Sequence, residues 1–93
     1  MTDHEFMATK PMPSPGSLCR KEAFGAMVAG GNLPILNLNE DSVQIWENCD
    51  GVRTVAEIEA LLLEHYQQEG LHDRLVTFLR YCLDNGFMIY AEK

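Results

Sequence analysis

Positive charge is scarce in this chain: seven Lys and Arg stand against fourteen Asp and Glu, a formal net charge of −7 over 93 residues. Nucleic-acid backbones reward clustered Lys and Arg, so no nucleic-acid partner is expected. Anionic lipid surfaces are disfavoured for the same reason. Long apolar runs are missing as well. None reaches the roughly 18 residues that span a bilayer, so no membrane partner is expected either. Cysteine is sparse: Cys19, Cys49 and Cys82 form an odd set without a CxxC pair. The opening Met1-Thr2-Asp3-His4-Glu5 has no basic n-region or apolar h-region. Both features read as reduced thiols in a cytoplasmic protein.

Catalytic and metal signatures are absent too. The chain holds no GxSxG, phosphate loop, HExxH or dinucleotide fingerprint. His4, His65 and His72 show no spacing with the cysteines that suggests zinc, so no metal and no cofactor are expected. Glu57, Glu59 and Glu64 lie on a helix whose other side is apolar, which means solvation rather than acid–base work. A chain of 93 residues makes one small domain with a thin core. That leaves little room for a deep, water-excluding catalytic pocket. The sequence therefore reads as a binding module and not an enzyme, with no catalytic residue to name.

What is present divides into a tail and a fold. Residues 1–16 read as a flexible arm, because Pro11, Pro13, Pro15 and Gly16 disfavour regular structure there. Residues 17–93 read as the domain. Short strands are expected at Leu18–Lys21, Phe24–Ala29 and Leu33–Leu38, with Gly30-Gly31-Asn32 as a hairpin signal. Pro34 cannot donate to a ladder and marks an edge strand or a strand start.

Three helices follow. Asn39 is a good N-cap for Glu40–Cys49, whose expected buried stripe is Ser42, Ile45, Trp46 and Cys49, with Trp46 as the anchor. Gly51 suits a left-handed cap. Thr54 and Glu57 form a capping-box pattern that opens Val55–Tyr66, with Val55, Ile58, Leu61, Leu62 and Tyr66 on one side. Leu71–Asn85 carries Leu71, Leu75, Phe78, Leu79, Cys82 and Leu83 at amphipathic spacing. Phe87–Tyr90 is an apolar, extended end. Strands followed by helices argue for an α+β domain with helices on one face of a three-stranded antiparallel sheet.

The run Leu38-Asn39-Glu40-Asp41-Ser42-Val43-Gln44-Ile45-Trp46, with Asp50-Gly51-Val52-Arg53-Thr54-Val55-Ala56-Glu57-Ile58, resembles the signature of the PqqD-like family. Phe78-Leu79 and Leu83-Asp84-Asn85-Gly86-Phe87-Met88-Ile89 are similar to that family's ending. The resemblance covers residues 17–90, with Ser42 where alanine is common and Phe87 where leucine is common. It implies a winged helix-turn-helix-like domain, the RiPP recognition element, that is a non-catalytic chaperone. Such a domain binds the leader segment of a ribosomally made precursor peptide by strand addition. It presents the peptide to a maturation enzyme, often a radical SAM protein.

Carried onto this chain, the resemblance places the peptide beside Leu33, Pro34, Ile35, Leu36 and Asn37, with Arg74, Leu75, Phe78 and Tyr81 on the opposite wall. Prolines sit with the missing donor away from the internal ladder, so Pro34 and Leu36 form the expected outward set. Leu36 then offers the pairing donor and acceptor. Arg74 is placed to meet a leader carboxylate. The rival reading is a winged-helix DNA-binding regulator using the last helix, against which the acidic balance counts. A homodimer through the sheet stays open.

Overall fold

The computed structural model describes residues 2–30, 33–65 and 69–91. In chain order the elements are α1 (Asp3–Met7), β1 (Pro11–Pro13), β2 (Leu18–Glu22), β3 (Gly25–Ala29), β4 (Leu36–Asn39), α2 (Glu40–Glu47), α3 (Val55–His65), α4 (Leu71–Asp84) and β5 (Met88–Tyr90).

The three-stranded antiparallel sheet has the order β2-β3-β4, and the helices α2, α3 and α4 follow it, giving the expected α+β fold. Period-two alternation puts Ala26, Val28 and Leu38 on the buried face, with Ala26 opposite Leu38 and Val28 opposite Leu36. Gly25, at φ +147°, lets β3 and β4 approach: a Cβ there would strike the Leu38 carbonyl and the Asn39 backbone. The first strand extends one residue past the expected end, and the second starts at Gly25 because Phe24 lies outside it, exposed. The third begins at Leu36 instead of Leu33. Pro34 has no N–H to give a ladder, so Leu33–Ile35 is a connector. The hairpin signal falls partly on Gly31 and Asn32, outside the described residues.

The helix starts follow their caps. Asn39 Oδ1 accepts the Ser42 N–H at 2.8 Å, so β4 runs straight into α2. The Thr54–Glu57 box is complete: Thr54 N–H donates to Glu57 at 2.9 Å, and Glu57 N–H donates to Thr54 Oγ1 at 3.2 Å. Hydrogen bonding from the Thr54 backbone N–H, and then from its side chain, holds the Glu57 carboxyl below its usual range. Before it, Asp50 accepts the N–H groups of Arg53 and Val52, which depress its pKa in turn. Gly51 takes φ +78°, as its left-handed role requires. Of the expected stripe Ile45, Trp46 and Cys49 are buried and only Ser42 is half-buried, while Val43 on α2 is buried as well. On α3, Val55, Ile58 and Leu62 are buried and Leu61 is half-buried; Tyr66 lies outside the described residues. Cys49 and Cys82 serve as small core hydrophobes, their thiol pKa values pushed up to about 12 chiefly by burial.

The reading of residues 1–16 as an arm without regular structure is corrected. Thr2 caps α1 with Glu5 in a second capping box, and Phe6 is fully buried beneath the Arg80 guanidinium, 4.3 Å from the ring centroid. Arg80 also reaches Asp3 at 3.3 Å. β1 pairs antiparallel with β5. Its prolines are tolerated because alternate residues face alternate sides. Lys10 accepts from Ala91 at 2.8 Å and Ser14 donates to Phe87 at 3.0 Å, both toward the β5 side. Pro11, between them, sends its carbonyl the other way, to the Gly51 N–H at 3.1 Å. The missing proline donors therefore fall where the ribbon needs none.

Candidate functional site

β4 is an edge strand. It pairs with β3 on one side, and no strand pairs with its other side among the described residues. Beside it lies a cleft of about 690 Å³ bounded by β4, the first turns of α2, and α4. Leu36, Ile45, Leu62, Leu71, Phe78 and Tyr81 supply its apolar and aromatic side chains. Asn37, Asn39, Ser42, Gln44 and Thr77 add neutral polar groups, and Asp41, Asp73 and Arg74 carry its charge. An apolar cleft of this size with a few convergent polar groups is the usual form of a ligand site.

Each wall has a local cause. Leu36 shares the inward face of β4 with Leu38, but at the end of the strand, where it is half-buried and meets the cleft. On α4 the core takes Leu75, Leu79 and Cys82, while Arg74, Phe78 and Tyr81, spaced three or four apart, turn a second stripe toward β4. Tyr81 is held by stacking on the buried Phe87 ring, 6.3 Å between centroids.

Of the residues singled out from sequence, the structure brings Leu36, Asn37, Arg74, Phe78 and Tyr81 together around this cleft. It separates the others. Leu75 is fully buried in the core and is not among the residues lining this cleft. Leu33 packs half-buried against the core, while Pro34 and Ile35 are exposed on the connector ahead of β4. Arg74 stands exposed at the mouth, its guanidinium facing Asp41 at 3.9 Å.

Asn39, Asp41, Ser42, Gln44 and Ile45 were missed as lining residues, as were Leu62, Leu71, Asp73 and Thr77. One signal was available. Asn39 is both the last residue of β4 and the cap of α2. A groove along β4 must then continue along the first turns of α2.

The remaining polar features lie elsewhere. His72 on α4 bonds to Glu59 on α3 through Nδ1, and that carboxylate raises the imidazole pKa. Among the described residues no group of His, Cys, Asp and Glu is arranged to hold a metal, and no helix is long and apolar enough to cross a membrane. A family model described as coenzyme PQQ synthesis protein D (PqqD) matches residues 27–88. No curated protein and no solved structure matches the chain significantly.

Proposed function

The chain belongs to the PqqD family, whose role is accessory to PQQ and ribosomal-peptide biosynthesis, and from that premise we propose that it is a non-catalytic peptide chaperone. It takes the leader segment of a ribosomally made precursor as an added strand on β4 and presents it, in the cytoplasm, to a maturation enzyme of the radical SAM type. The observation that carries this reading is the open edge of β4 running along an apolar cleft. Unpaired N–H and C=O groups on such an edge grip an extended peptide whatever its sequence, and the cleft beside the edge selects its side chains. Leu36 presents the backbone; Phe78 and Tyr81 receive an apolar anchor.

The test is calorimetric titration with the N-terminal half of a short precursor peptide, should one be encoded beside this gene. Binding of about micromolar strength or tighter is expected. Tyr81→Ala, at a half-exposed position, should weaken it several-fold without loss of fold, and Leu36→Pro should weaken it further. Absence of binding by a chain folded by circular dichroism would refute direct leader capture.

A further inference from the structure

The cleft has a sign as well as a shape. Among its described lining residues are two carboxylates, Asp41 and Asp73, and one guanidinium, Arg74. Arg74 is met by Asp41 at 3.9 Å, so a carboxylate brought to it also approaches Asp41. The amide end of α2 adds about half a positive charge, which Glu40, in the same first turn though outside the cleft lining, counters. The whole chain carries −7.

From this we infer that the cleft selects a peptide bearing Lys or Arg next to its apolar anchor; the inference rests on the peptide-binding reading above. In an extended peptide, residues two apart point to the same side. One apolar side chain enters between Ile45, Leu62 and Phe78. Its same-side neighbour reaches the rim, where a cation pairs with Asp41 and Asp73 and an anion meets both. A cation there also leaves the Asp41–Arg74 pair a role, since Asp41 then bridges two positive groups. Arg74 is thus a discriminator held in a rim pair rather than an anion receptor.

A display library of random dodecapeptides panned on the intact chain at low salt tests this, with Asp41→Asn/Asp73→Asn as the comparison. The expected result is an apolar residue enriched together with Lys or Arg two positions away, the basic enrichment vanishing in the double variant. For one selected peptide, Lys→Glu should then weaken binding about three- to tenfold at low salt, and much less at high salt. Enrichment of acidic residues, apolar enrichment with no charge bias, or a basic bias that survives in the double variant would each overturn the inference while leaving peptide binding intact. No enrichment of any kind on a folded chain would overturn both.

Discussion

Gly25 and Gly70 both hold positive φ, at +147° and +76°, but their surroundings differ. A Cβ on Gly70 meets nothing within 4 Å, so Gly70→Ala brings only the left-handed penalty of about 1–2 kcal/mol. A Cβ on Gly25 runs into the backbone of β4 at Leu38 and Asn39, in a conformation that side-chain-bearing residues scarcely adopt. Gly25→Ala should therefore cost clearly more, about 3 kcal/mol or above, and it should pull β4 from the sheet. Chemical denaturation of the two variants gives the ordering. Equal losses would mean that the strands do not approach as closely as described.

At the scale of elements, α1 and β1 give the sharpest test of how the chain is built. Phe6 is fully buried, with Arg80 over its ring. Phe6→Ala should cost about 3–5 kcal/mol, whereas a residue on a solvated arm would cost within about 0.5. A thermal melt separates these outcomes. The helices α3 and α4 are joined by His72 and Glu59. Because the folded pKa of His72 is raised, the contribution is fully present below pH 6.5 and is lost as pH rises through the folded value. Wild type should lose stability as pH rises above about 6.5, by under about 1 kcal/mol because the pair is solvated. His72→Gln should flatten that slope.

These elements also show what the sequence could disclose. Caps and periodicity name their own residues, and so Asn39, the Thr54–Glu57 box and the amphipathic α4 were legible. The N-terminal elements were not, because Phe6 is buried by Arg80 and β1 is ordered by β5, more than seventy positions away. Local proline rules see the prolines and not the partner that tolerates them. The cleft was half legible for the same reason: α4 advertises its stripe, while Leu62 and Leu71 join it only through packing.

At the scale of the molecule, charge sets opposite expectations for two uses of a winged-helix-like fold. With seven basic residues against fourteen acidic ones, the surface offers phosphates little. α4 carries Arg74 and Arg80, but Arg80 is engaged with Asp3 and Phe6, and Arg74 faces Asp41. A gel shift with duplex DNA at low salt should show no retardation at micromolar protein; a shift that weakens steeply with added salt would favour the regulator.

The β1–β5 ribbon, closed where the Lys10 carbonyl accepts from the Ala91 amide, has a consequence in time. Synthesis is vectorial, and β1 is made long before the strand that orders it. The sheet and α2 depend mostly on near neighbours and can form as they emerge. Phe6 must wait for α4 and β1 for the last strand, so the loop-closing step that completes the core belongs to the end of folding. Hydrogen exchange during refolding should protect β3 first and the ribbon last.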